Sequence, residues 1–182
     1  PAQARMIEQL HEWIEALRNC PKPVIAAVEG AAAGAGFSLA LACDLIVAAE
    51  DARFILSHAK LGLSPDGGAT WHLARALPRP LAQQLVWLAE PVSARQLQGL
   101  GLVHGVVPAG QALAEALRLA ERLAAMAPNA LASGKELLQS ALRQTLPEQL
   151  ASERDHFVRN LFDANGAEGL AAAVAKRAPD FR

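Results

Sequence analysis

The stretch that most restricts what this chain can fold into is EGAAAGAGFSLALACD, residues 29–44. It follows VIAAV (24–28), a short apolar run that reads as a buried strand. A strand that runs into three glycines and a run of alanines, then into a short apolar helix, is a backbone cleared of side chains. Such clearing lets another helix, or a ligand, come close to the main chain. The spacing G-x-x-x-G-x-G is near a dinucleotide fingerprint, but this chain has no tyrosine for the short-chain dehydrogenase chemistry that uses that pattern. No G-x-x-x-x-G-K-[ST] phosphate loop occurs.

GFSLA (36–40) approaches the nucleophile elbow, which would join Ser38 to His58 and an aspartate. The elbow needs its serine directly after a strand, and here a long loop intervenes. The competing reading is a buried helical serine bonded to a backbone carbonyl. A further reading uses the backbone itself. Gly34, Ala35 and Gly36 stand where a helix begins, so their N–H groups have no partner inside it. Those donors and the helix dipole can stabilise a developing oxyanion. Close packing of the helix on a strand explains the same spacing.

Helical periodicity over residues 3–18 predicts an amphipathic helix, closed by NCPKP. Strands are expected at 24–28, 44–50 and 52–56, with a loop over 30–36 and a short helix over 37–43. Pro65 to Gly68 predicts a turn before a helix at 69–77. PLAQQLVWLA and VSARQLQGLG predict two more helices, and LVHGVVP a strand. Beyond Gly110 the sequence becomes alanine- and leucine-rich, with helices expected at 111–126, 129–143, 148–162 and 166–176. The expected organisation is an α/β core over residues 1–110 and a helical region over 111–182.

Of the 182 residues, 52% are hydrophobic, enough for a core, and the net charge of −1 carries no basic footprint for nucleic acid. Apolar runs are too short to span a membrane. Two cysteines without a CxxC pair argue against a disulfide framework or zinc knuckle, and a cytoplasmic location is expected.

Taken together, KPVIAAVEGAAAGAGFSLALACDLIVAAEDARF, LGLSPDGGATWHLAR and SARQLQGLGLVHGVV resemble the crotonase family, also called enoyl-CoA hydratase/isomerase. The resemblance reaches the C-terminal AAAVAKRAPDF. It implies a spiral of ββα units followed by a helical C-terminal region that builds trimers or dimers of trimers. The substrate it implies is an acyl-CoA thioester, with coenzyme A as part of the substrate and no separate cofactor. Such a domain carries a further N-terminal segment, with one oxyanion donor and much of the coenzyme A pocket, so an upstream segment is expected beyond Pro1.

By position, the resemblance gives Ala35 the second oxyanion N–H, with Gly34 and Gly36 beside it. The two glutamates of hydratases fall at Ser38 and His58, so paired acid–base addition of water has lost both groups. The carboxylate that remains is Asp66, in SPDGG, where isomerases of phenylacetyl-CoA type resemble the chain most. The implied reaction shifts a double bond with Asp66 as the single acid and base. Alternatives are a hydratase with a non-standard site, an aryl-CoA dehalogenase with Asp66 as nucleophile, and a catalytically inactive binding protein. The competing reading of Asp66 is a helix N-cap. His58 either lines the acyl pocket or is an interior histidine. Lys176 and Arg177 either lie near the coenzyme A phosphates or end a solvated helix. Asp44 is expected to anchor a strand entrance, and Trp71 and Trp87 to be core or subunit contacts.

Overall fold

The computed structural model describes residues 2–182. The chain divides into two compact units. One holds residues up to Cys20 together with Val24–Arg118, and the other holds Pro21–Pro23 with Leu119–Arg182. The division falls within a helix, eight residues beyond the change in composition at Gly110.

In the first unit, helix α1 (Ala2–Asn19) leads to β1 (Ile25–Val28), β2 (Ala31–Ala33) and α2 (Ala35–Ala42). Next come β3 (Leu45–Ala49), β4 (Arg53–Ile55) and, after a 3₁₀ turn at Ser57–Leu61, α3 (Ala69–Ala76). Then follow α4 (Arg79–Leu88), β5 (Val92–Ser93), α5 (Ala94–Gly99), β6 (Gly105–Val107) and α6 (Ala112–Ala124).

The strands form two sheets, in the orders β1-β3-β6 and β2-β4-β5. Val28 lies opposite Ala48 in the first, and Ala33 opposite Ile55 in the second, both in parallel register. Each successive β-β-helix unit thus places one strand in each sheet, and repeating the unit makes a turn of a spiral. Among the described residues, only β5 runs antiparallel, against β4.

The expected loop over 30–36 is corrected by this pairing. Gly30, at φ 61°, turns the chain out of β1, and Ala31–Ala33 pairs with Arg53–Ile55. Alanine has little strand preference of its own, so the hydrogen-bond partners of β4 decide the matter. The helix expected to start at Val92 instead begins at Ala94. Val92 and Ser93 pair with β4, and Ser93 forms a capping box with Gln96 at the start of α5.

Phe37, Phe54, Leu56, Leu73 and Leu97 are fully buried and form the heart of the core. The rings of Phe37 and Phe54 meet at 5.2 Å and a tilt of 59°. Two carboxylates tie loops to this core. Asp44 accepts the Val24 N–H at 2.7 Å, anchoring the strand entrance as expected. Glu29 accepts the N–H groups of Gly110 (3.0 Å) and Ala112 (2.8 Å), neutralising donors that α6 leaves open at its start. Of the tryptophans expected in the core or at subunit contacts, neither Trp71 nor Trp87 belongs to the core. Trp87 is largely exposed, and Trp71 lies at the surface between the guanidinium groups of Arg18 and Arg75, at 4.0 and 3.9 Å from its centroid.

The second unit is built from the end of α6 with α7 (Pro128–Ala141), α8 (Leu146–Leu161) and α9 (Ala164–Ala175). Side-chain amides join its helices. Asn129 donates to Asn160, Asn160 to Ser133, and Asn165 to both Asn129 and the Arg182 carbonyl. Burying these groups is tolerated because each finds a partner.

Candidate active site

The turn between β2 and α2 is set by Gly34, whose φ of 51° and ψ of −121° suit glycine and strain other residues. Its N–H donates to the Ile55 carbonyl at 2.9 Å, and its carbonyl accepts the N–H groups of Phe37 and Ser38. Between these commitments lie the N–H groups of Ala35 and Gly36. Among the described residues, neither has an acceptor. Both sit in the first turn of α2, at the positive end of its dipole. A Cβ at Gly36 would meet nothing within 4 Å, so the fold around it does not demand a glycine there.

Asp66 is tied to α2 through its main chain. Its backbone is clasped by Ser38, whose hydroxyl donates to the Asp66 carbonyl at 2.9 Å and also lies 3.3 Å from the Gly34 carbonyl. Ser38 is completely buried. The substrate contact expected of Ser38 is not seen here: its hydroxyl hydrogen is directed at protein carbonyls. The same bonds rule out a Ser38–His58 nucleophile pair and match the buried helical serine. Gly67, at φ 56°, makes the clasp possible: a Cβ there would come within 2.8 Å of Ser38 Cβ. Sequence reading saw Gly67 only as a turn residue, since the partner it packs against is 29 positions away.

The Asp66 side chain does not cap α3. That position belongs to Gly68, which provides no side-chain cap, and only the Asp66 carbonyl helps, accepting from Ala69 N–H at 3.2 Å. The carboxylate instead faces His58, with Oδ1 3.3 Å from Nε2. It keeps about a third of its side-chain surface open, whereas the His58 side chain keeps a tenth. His58 stands on the 3₁₀ turn after β4, with its ring against the glycine turn: a Cβ at Gly34 would lie 3.7 Å from Nε2. Unpaired donors of Ala35 and Gly36, the imidazole of His58 and the carboxylate of Asp66 are thus brought together. Lys176 belongs to the second unit, where it ends α9 exposed at φ 53°.

Beside the site, on α3, is a histidine that the sequence did not single out. His72 has its pKa lowered from 6.5 to about 4, chiefly by burial and further by Arg18 and Arg75. Its unfolded form binds a proton more readily than its folded form, so stability should fall as pH drops from about 6.5 through about 4. Above that window it contributes nothing. Partial exposure to water keeps the loss to about 1 kcal/mol. Thermal melts from pH 7 to pH 4 should show a decline that is shallower in His72→Gln.

No group of three or more His, Cys, Asp or Glu able to hold a metal ion exists among the described residues. Nor is any helix among them long and apolar enough to cross a membrane.

A two-sheet spiral with open backbone donors at a glycine turn, and a carboxylate paired with the histidine that lies beside that turn, defines a crotonase-type fold. The chain belongs to the enoyl-CoA hydratase/isomerase family, whose model matches residues 2–182. It is 42% identical over 161 residues to 2,3-dehydroadipyl-CoA hydratase of Escherichia coli K12, across 88% of this chain and 63% of that protein. It is 40% identical over 168 residues to 1,2-epoxyphenylacetyl-CoA isomerase of the same strain, across 92% of this chain and 64% of that protein. Among solved structures, an enoyl-CoA hydratase from Polaromonas sp. JS666 is 61% identical, with a TM-score of 0.98 over all of this chain and 70% of that one. The chain thus spans somewhat under two thirds of the length of these curated relatives.

Proposed function

We propose that the protein is an acyl-CoA enzyme that moves a double bond, converting a 3-enoyl thioester or a related ring system to its isomer. The observation that carries this reading is the Asp66 carboxylate, paired with a His58 ring that lies beside the glycine turn and its open backbone donors. Coenzyme A is part of the substrate in this reading, and no separate cofactor is needed. The thioester oxygen accepts the Ala35 N–H, at the positive end of α2, so negative charge on that oxygen is stabilised. The C2 proton of the acyl chain then passes to Asp66, and the electron pair spreads over the dienolate. The same proton returns to C4, the double bond becomes conjugated with the carbonyl, and Asp66 is again a carboxylate. No water enters or leaves.

Gly34 and Gly36 keep the approach to these donors free of side chains. The open space over Gly36 supports this, since packing within the fold does not account for that glycine. Assembly into a trimer or a dimer of trimers, in the cytoplasm, belongs to the same reading. Its support is the apolar surface of the second unit, where Leu138, Phe162 and Val174 are each more than three-quarters exposed. Lys176 is assigned to the coenzyme A phosphates on sequence position alone.

The second reading is hydration of a 2-enoyl thioester. It is favoured by two relatives with hydratase names, at 42% and 61% identity. Incubation of the full-length protein with 3-enoyl-CoA and, separately, 2-enoyl-CoA distinguishes the two. The isomerase produces the conjugated thioester absorbance from 3-enoyl-CoA with no change in product mass. A mass gain of one water from 2-enoyl-CoA, without isomerisation, establishes the hydratase instead.

A further inference from the structure

We propose that His58 is a positioning residue for Asp66: its Nε2–H holds Oδ1 and leaves Oδ2 as the one oxygen that exchanges protons with a bound acyl chain. This assignment of roles rests on the isomerase reading, but its structural half does not. Three observations support it. Nε2 is 3.3 Å from Asp66 Oδ1. The ring is buried, and Nδ1 has no hydrogen-bond partner among the described residues. The ring also lies beside Gly34, where an added Cβ would stand 3.7 Å from Nε2.

A carboxylate only accepts, so the atom facing it must carry the hydrogen. An unpartnered buried N–H is rarer than an unpartnered lone pair. Nδ1 therefore holds the lone pair, and the tautomer has its hydrogen on Nε2. With Ser38 fixing the Asp66 backbone and His58 fixing Oδ1, the carboxylate has little rotational freedom. The oxygen that remains, Oδ2, belongs to a side chain that is partly open to solvent. A base aimed in this way can serve both carbons of the reaction from one position, and misplacing it by about 1 Å costs on the order of 10²-fold in rate.

The test uses two substitutions in the full-length protein. His58→Phe keeps a ring but removes the donor. His58→Gln puts an amide N–H near the place of Nε2. The expected result is a kcat lowered about 30–100-fold in His58→Phe with KM changed less than about threefold, and kcat restored to within about fivefold of the parent in His58→Gln. Equal kcat in the two variants, or a parent-like kcat in His58→Phe, overturns the proposal.

Long-range ¹⁵N correlation spectra of histidine-labelled protein, without substrate, supply the independent arm. They should place the hydrogen on Nε2 and show that resonance displaced in Asp66→Asn. A hydrogen on Nδ1 overturns the proposal even if His58→Phe does not fold. Should the parent protein fail to isomerise 3-enoyl-CoA while the spectra give Nε2–H, the isomerase reading fails and the His58–Asp66 pairing stands.

Discussion

Asp66→Asn should abolish double-bond transfer while leaving the fold in place. The amide has the shape of the carboxylate and keeps an oxygen for His58 Nε2, so the 3.3 Å contact survives. The backbone clasp from Ser38 uses the Asp66 carbonyl and is untouched. What is lost is the group that, in the proposed isomerase, takes and returns the proton. General acid–base groups contribute about 10²–10⁴-fold, and in the proposed reaction one group performs both transfers. A fall in kcat of about 10³-fold or more is expected, with the melting temperature changed by no more than about 3 °C. The check is the absorbance of the conjugated thioester over time, together with a thermal melt. Activity within tenfold of the parent would mean that another group carries the proton.

Gly67→Ala should damage both stability and activity, although Gly67 contributes no functional group. Its φ of 56° costs a residue with a Cβ about 1 kcal/mol. The new methyl would also stand within 2.8 Å of Ser38 Cβ and 3.4 Å of Leu10 on α1. Ser38 is held in the middle of a buried helix and cannot retreat. The turn must lift instead, which strains or breaks the bond from Ser38 Oγ to the Asp66 carbonyl. Overpacking of this kind costs about 1–3 kcal/mol, so the sum is about 2–4 kcal/mol and a fall in melting temperature of about 5–15 °C. Because Asp66 moves with the turn, kcat should fall by at least about tenfold at temperatures where the protein is still folded. An unchanged melting temperature would show that the turn has room the geometry does not grant it.

Part of the site was legible in the chain order alone. A glycine at the end of a loop and before an apolar helix marks an unusual backbone with free donors. Gly34 and Ala35 could therefore be picked out before any coordinate. The carboxylate was singled out through the family resemblance of SPDGG, since the residues alone read only as a turn before a helix. Its competing role as a helix cap could not be dismissed, since a cap and a base look alike in sequence. Only the position of Gly68 at the start of α3 separates them. Ser38 was ambiguous for the same reason: a hydroxyl in an apolar helix does not reveal which carbonyl it finds.

The sequence by itself determined the helices, whose 3.6-residue periodicity and prolines are local, and the longer strands, whose apolar runs are local as well. It also determined that the backbone would be bare between Gly30 and Gly36. The tertiary structure alone decided that Ala31–Ala33 is a strand, since its partner is supplied by β4. It alone brought His58 to Asp66 and Ser38 to Gly67. Residues 8 and 29 positions apart meet only when the spiral closes, and no local preference encodes that meeting. Periodicity reports the angle at which neighbours leave one element, whereas a site depends on which elements face each other.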